Sequence, residues 1–290
     1  RGIDFGHILE GSGTEGFLGE GYWYHKYLKP FGLNFEGATF VAKTTTLRPR
    51  LGNLPLKEDG ITPKELFPKC IKVYPRKGIV LNAVGLSCPG AEFLFKDGRW
   101  QKIKKPFSIS FTAVGESFEM RYLETINFAI MLKKFLPCFN APVGLQINGS
   151  CPNVKIDTLK PADEMKKKLE VLSAYVSIPL VPKINVLTSV DEAKEIADDP
   201  NCDALCVSNT IPWGALPDKI NWKELLGTDV SPLAEFGGGG LSGKPLLPIV
   251  AEWVASAKKA GITKPIIAGG GILSPNDVDI LKDAGASSVS

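Results

Sequence analysis

Histidine is nearly absent from this chain of 290 residues, occurring only as His7 and His25, and none of the six cysteines (Cys70, Cys88, Cys138, Cys151, Cys202 and Cys206) forms a CxxC pair. Zinc and iron–sulfur sites need clustered thiolates or imidazoles, so ligation within this chain is poorly supported and no metal site is expected. Scattered, unpaired thiols suit a reducing compartment, and a cytoplasmic location is the expectation. No uninterrupted apolar run approaches the ~18 residues of a spanning helix, and no signal peptide is visible. The chain starts at Arg1 rather than Met, so a segment upstream is expected. The net charge is only +3, with Lys and Arg dispersed and no basic tail or basic–aromatic stripe. Nucleic acid is therefore not an expected partner.

What is present is a hydrophobic fraction of 44%, enough for a sizeable core, arranged as short β-rich runs alternating with helical patterns. The strand candidates are His7–Glu10, Ala38–Thr44, Phe107–Phe111, Val143–Ile147, Leu180–Ile184, Ala204–Val207, Ile266–Ala268 and Ser287–Ser290. Helical spacing is read over Glu15–Leu28, Glu116–Phe135, Pro161–Ser177, Val190–Asp198, Pro245–Ala260 and Pro275–Ala284. The run Lys166-Lys167-Lys168 is read as a solvated face of the third of these. Eight strands with helical crossovers predict an α/β fold, a (β/α)₈ TIM barrel, with an open doubly wound sheet as the runner-up. Two stretches exceed a plain repeat: residues 46–105, which include hairpin strands Ile71–Tyr74 and Ile79–Leu81, and residues 210–243. Long loops at a barrel's ligand face are usually functional. No internal repeat or linker is visible, so residues 1–290 are expected to form one domain.

The strand ends carry the chemistry. The fourth strand runs into Asn148-Gly149-Ser150-Cys151-Pro152-Asn153, a turn-prone stretch with a thiol between two carboxamides. Asn148 and Asn153 can each donate and accept hydrogen bonds, and Cys151 can act as a base if its pKa suits the working pH. The second strand ends in Lys43-Thr44-Thr45-Thr46, the fifth in Pro182-Lys183, the sixth in Ser208-Asn209-Thr210 and the seventh in Gly269-Gly270-Gly271. Lysines in apolar strands are costly to bury unpaired, so Lys43 and Lys183 either mark strand ends or face a shared electron-rich ligand. Gly11 to Gly16 matches GxGxxG, with Glu36 about twenty residues on. That acid precedes the next strand rather than ending it, and the glycines are read instead as a close approach to a flat ligand. A flavin ring gains negative charge on reduction and is stabilised by a nearby lysine. A phosphate wants backbone N–H groups, as offered by the turn before Pro275 and by Gly240-Leu241-Ser242-Gly243 before Pro245.

Taken together, these motifs resemble the dihydroorotate dehydrogenase family over nearly the whole chain. Ser12-Gly13 is similar to its early Ala-Ser-Gly turn. Lys43-Thr44-Thr45-Thr46-Leu47, with Gly52-Asn53 beginning nine residues after the lysine, resembles its lysine loop. Asn82-Ala83-Val84-Gly85-Leu86 resembles its Asn-Ser-Met-Gly-Leu segment, and Asn148 to Asn153 its Asn-Leu-Ser-Cys-Pro-Asn motif. Lys183, Asn209-Thr210, Gly239 to Pro245 and Ile266 to Ile272 follow in family order.

The resemblance implies FMN-dependent oxidation of dihydroorotate to orotate in pyrimidine biosynthesis, with an electron acceptor as second substrate. Cys151 would remove the C5 proton, with hydride passing from C6 to flavin N5. Asn82, Asn148, Asn153 and Asn209, with Gly85 and Leu86, would hold the pyrimidine, and Lys43 would lie near both substrate and flavin. Gly13, Thr44, Asn148, Lys183, Thr210, Gly243, Gly270 and Gly271 would approach the cofactor. The cysteine base and the lysine-to-Gly52 spacing resemble the family's first class, whereas Gly-Leu-Ser-Gly-Lys-Pro resembles the membrane-bound second class. Fumarate, quinone, or NAD through an iron–sulfur partner are thus all candidate acceptors, and the lack of membrane-docking helices weighs against quinone. A homodimer is the general expectation for a barrel. Gly149 replaces the family's leucine, Ser87-Cys88-Pro89 is unusual, and Ser290 falls inside the eighth strand. The last seam would be open if nothing followed Ser290, and the expectation is instead that the chain is a fragment. Two alternatives stand beside this reading: a related flavin barrel acting on another dihydropyrimidine, and a ligand-binding barrel without turnover.

Overall fold

Apolar pentapeptides with β-branched and aromatic residues become the staves of a parallel barrel. The computed structural model describes residues 1–149 and 160–290; Cys151 and Asn153 lie outside the described residues. The strands are β1 (Ile71–Tyr74), β2 (Ile79–Asn82), β3 (Phe107–Phe111), β4 (Val143–Asn148), β5 (Leu180–Ile184), β6 (Leu205–Val207), β7 (Ile211–Pro212), β8 (Gly240–Gly243), β9 (Ile266–Ala268) and β10 (Ser288–Val289). Six of them form one sheet in the order β10-β9-β6-β5-β4-β3, every neighbour parallel. Parallel bridges Ile8↔Val289, Leu9↔Thr39, Val41↔Ser108 and Thr45↔Phe111 insert the first two staves between β10 and β3 and close the ring. The fold is therefore a TIM barrel. The seam between the last stave and the first is closed by backbone hydrogen bonds: Leu9 N donates to Val289 O at 2.8 Å, and Val289 N donates to His7 O at 3.0 Å.

Alternate residues of the staves separate into two cores, as strand pleating requires. Leu205, Val207, Ile266 and Ala268 join the large cluster under the helices, whereas Cys206 and Ile267 join Leu9 and Val41 in a small cluster inside the ring. Helices Phe118–Phe135, Pro161–Tyr175, Val190–Ala197, Leu246–Lys259 and Pro275–Asp283 occupy the crossovers read from the sequence. Their starts follow local chemistry: Ser117 and Ser189 cap with their side chains, and Pro161 and Pro275 sit in the first turn.

Four expectations are corrected. Glu15–Leu28 is not one helix; only His25–Leu28 is α-helical. Gly16, Gly19 and Gly21 adopt φ of 86°, 80° and 70°, and the Glu20 carboxylate accepts from Phe17 N and Leu18 N, so the chain turns repeatedly there. Lys168 is not solvated: it is 6% exposed and pairs at 2.6 Å with Glu164, which Arg121 also holds at 2.6 Å. This triad joins helix Phe118–Phe135 to helix Pro161–Tyr175. Gly240–Gly243, read only as a source of phosphate-binding N–H groups, is strand β8, antiparallel to β2. Finally, short helices Ala91–Asp97, Arg99–Lys102 and Trp222–Leu226 occupy the long excursions, where no helix was read.

Those excursions build a cap. Residues 71–82 return as the hairpin β1–β2, and β8 and β7 extend it into a four-stranded sheet of order β1-β2-β8-β7. Gly240 lets the last pair approach, because a Cβ there would overlap Thr210 Oγ1.

Candidate active site

Between the cap and the C-terminal ends of the staves lies a cleft of about 400 Å³. The barrel side supplies Ser12, Lys43, Thr44, Thr112, Asn148, Asn209 and Thr210; the cap side supplies Asn53, Asn82 to Leu86, Pro212, Trp213, Phe236, Gly237, Gly239 and Gly240. Lys43, Thr44, Asn82, Gly85, Leu86, Asn148, Asn209 and Thr210, all read from the sequence as site residues, thus share one cavity.

Lys43 leaves its stave beside Gly13, where a Cβ would come within 3.1 Å of the lysine's own Cβ. Gly13 (φ 87°) therefore makes room for the lysine stem. The ammonium donates to Ser87 O at 2.9 Å and lies 4.6 Å from the Phe17 ring centroid. Among the described residues it has no carboxylate within ion-pair distance. Burial lowers its pKa from the ordinary lysine range, with the Cys88, Glu20 and Cys70 groups acting in the opposite direction. An under-compensated cation in a cleft is an anion site in waiting.

A polar row runs across the barrel side. Asn209 Nδ2 donates to Asn148 Oδ1 at 2.7 Å, Asn148 Nδ2 donates to Thr44 Oγ1 at 3.4 Å, and Thr44 Oγ1 meets Ser110 Oγ at 3.0 Å and Ser12 Oγ at 3.3 Å. Thr112 Oγ1 donates to Asn148 O at 2.9 Å, and Asn209 Oδ1 accepts from Thr210 N at 3.2 Å. The row is locked in register, yet each carboxamide keeps one N–H and one oxygen lone pair for a ligand.

Lys183 lies off the cleft lining, but it faces Asn148 in the β4–β5 register. Gly243, Gly270 and Gly271 form a separate corner at the start of helix Leu246–Lys259. A Cβ on Gly271 would stand 2.7 Å from Gly243 O and 2.8 Å from Leu247 N. The backbone N–H groups of Gly270, Gly271 and Ile272 make no hydrogen bond among the described residues. Consecutive free N–H groups at a glycine turn suit a phosphate. The GxGxxG stretch starts no helix and is no dinucleotide fingerprint; His25 begins the first helix nine residues after Gly16.

Trp213 and Phe236 were missed as site residues. They sit in an excursion with no periodicity, where only their aromatic character amid glycines distinguishes them. The cysteines described, Cys70, Cys88, Cys138, Cys202 and Cys206, are all free. Among the described residues no helix is long and apolar enough to cross a membrane.

Against known proteins, a profile of the dihydroorotate dehydrogenase family matches residues 14–290. The chain belongs to the dihydroorotate dehydrogenase family. Its relatives include the dihydroorotate dehydrogenase A (fumarate) of Lacticaseibacillus paracasei, 29% identical over 97% of this chain and 85% of that one. The dihydroorotate dehydrogenase B (NAD(+)) catalytic subunit of Caldicellulosiruptor bescii is 27% identical over 97% and 81%. Among solved structures, the DHODH of Eimeria tenella in complex with ferulenol shares the fold at a TM-score of 0.62, with 21% identity over 86% of this chain and 68% of that one.

Proposed function

We propose that this chain, acting as a single FMN-binding domain, oxidises dihydroorotate to orotate for pyrimidine biosynthesis. The observation that carries the reading is the meeting of the Lys43 ammonium with Asn82, Asn148 and Asn209 in one cleft at the staves' C-terminal ends. A dihydropyrimidine presents alternating carbonyl and N–H groups, which carboxamides match in either sense. Its carboxylate finds the Lys43 cation together with the backbone of Gly85 and Leu86.

The residues present fit FMN. The barrel side of the cleft is polar, Thr44 and Thr210 line it, Gly13 lies against Lys43, and Lys183 stands one stave from Asn148. The Gly243–Gly270–Gly271 corner offers the free N–H groups a phosphate needs. When bound, the flavin supplies the hydride acceptor. The chain's own work is to orient the pyrimidine ring, to exclude water with the cap, and to take the C5 proton. That last task falls to Cys151, three residues beyond Asn148, because a thiol ionises within reach of neutral pH.

The electron acceptor is to be assayed with fumarate and NAD(+), the two that the relatives' names carry. The deciding experiment is an anaerobic visible spectrum of the flavin-loaded protein before and after dihydroorotate. Bleaching is expected in the parent and its loss in Cys151→Ala. A parent whose flavin stays oxidised refutes the function; a Cys151→Ala variant that bleaches at the parent's rate refutes the base.

A further inference from the structure

The cap side of the cleft carries an apolar stretch, Pro212, Trp213 and Phe236, that no part of the reading above uses. Trp213 follows β7 directly and lines the same cleft as the carboxamide row, together with Phe236 and Pro212. It is held from three directions. Its N–H donates to Gly239 O at 2.9 Å. Its ring lies 4.9 Å from that of the buried Trp222, tilted by 51°, and Trp222 is itself fixed by donation to Ala215 O at 2.9 Å. Gly238 leaves room beneath it, since a Cβ there would come within 3.2 Å of Trp213 Cβ. The indole N–H has no hydrogen-bond partner among the described residues. A large aromatic ring that is partly buried, borders a cleft and is locked by packing and by its backbone is a preorganised contact surface rather than a filler.

We propose that Trp213 determines the specificity of this site. Its indole sets the depth of the slot, admits a flat single ring stacked against the cap, and rejects rings that carry an added group on the cap-facing side. The inference rests on the dihydropyrimidine reading of the cleft. Trp213 touches the ring without taking part in proton or hydride movement, so its loss changes selection more than chemistry.

The test compares the parent, Trp213→Phe and Trp213→Ala, all flavin-loaded. The substrates are dihydroorotate and its two C5-methyl diastereomers, whose methyl groups project from opposite faces of the ring. Orotate binding is measured alongside by thermal shift. Removing an aromatic stacking partner weakens binding by about tenfold or more, so Trp213→Ala should raise KM for dihydroorotate by at least that factor with kcat changed less than about threefold. Its kcat/KM for at least one methylated analogue should rise about tenfold relative to dihydroorotate. Trp213→Phe keeps a ring against Trp222 and should fall between the two, which covers the case in which the alanine variant does not fold. Parallel losses on all three substrates, or unchanged orotate affinity, would overturn the proposal. A parent inactive on dihydroorotate would instead overturn the functional reading, and the proposal with it.

Discussion

Replacing Lys43 with methionine separates stability from function. The ammonium has only the Ser87 carbonyl at 2.9 Å and the Phe17 ring at 4.6 Å for company, and burial lowers its pKa. Desolvating a charge without a counter-ion is a net cost to folding, and exchanging such a group for an apolar one of similar shape stabilises by about 1–4 kcal/mol. The low end, about 1–2 kcal/mol, applies because the lysine stem borders an open cleft. For a chain of this size that is a rise of about 2–6 °C in Tm for the ligand-free protein. The opposite holds with ligand. A charge-assisted hydrogen bond contributes about 1.5–3 kcal/mol, so the variant should bind orotate about 10- to 150-fold more weakly. Melting curves of the ligand-free protein, with and without saturating orotate, measure both terms at once. A methionine variant that melts lower than the parent and binds orotate equally well would sink the idea that Lys43 is held ready for an anion.

Other perturbations follow from particular contacts. Burial, then the hydrogen bond to Glu15 and its charge, raise the Glu10 carboxyl to about 9 from 4.5. The folded state thus holds a proton that the unfolded state releases. Its contribution is fully present below pH 4.5 and is lost progressively up to about pH 9, at no more than about 1.4 kcal/mol per pH unit. Urea titrations of Glu10→Gln against the parent should diverge as pH rises from 6 to 8; parallel stability curves would count against the buried pair. Glu164 behaves in the reverse sense. Although burial works against its charge, Arg121 and Lys168 hold its pKa down to about 2, so its contribution is complete above pH 4.5 and is lost as pH falls towards 2. Removing one partner of such a buried group costs about 3–5 kcal/mol, so Glu164→Gln should unfold at a clearly lower urea midpoint at pH 7, and a midpoint within error of the parent's would contradict the triad. Gly243→Ala should lower the unfolding free energy by more than about 1 kcal/mol, read as a lower urea midpoint, because Gly243 has φ 109° and an added Cβ would overlap the Gly78 carbonyl oxygen; an unchanged midpoint would show that the cap can shift. Cys151→Ser should need higher pH for flavin reduction, since serine is the weaker acid, and a pH–rate curve superimposable on the parent's would exclude Cys151 as base.

Much of the barrel was readable because short apolar runs such as Phe107–Phe111 and Val143–Ile147 are bounded by Pro, Gly or Asn and alternate with amphipathic helices. Glu15–Leu28 was misread because helical spacing ignores glycines in the left-handed region, where three of them turn the chain. Lys168 was misread because a lysine run looks solvated until Arg121, 47 residues earlier, brings Glu164 into the same buried triad. Gly240–Gly243 could not be seen as a strand because glycines signal close approach without saying to what; here the approach is to Thr210 and to strand β2.

The sequence by itself determined the eight staves, their order and the polar residues at their ends, because strand period, turn chemistry and residue type are local properties. Tertiary structure alone decided which of those ends share a cleft, that Asn209 and Asn148 bond to each other, and that Trp213 and Phe236 wall the cavity. Those facts depend on how two long excursions fold back over the barrel, and that is set by packing and backbone pairing between residues far apart in the chain.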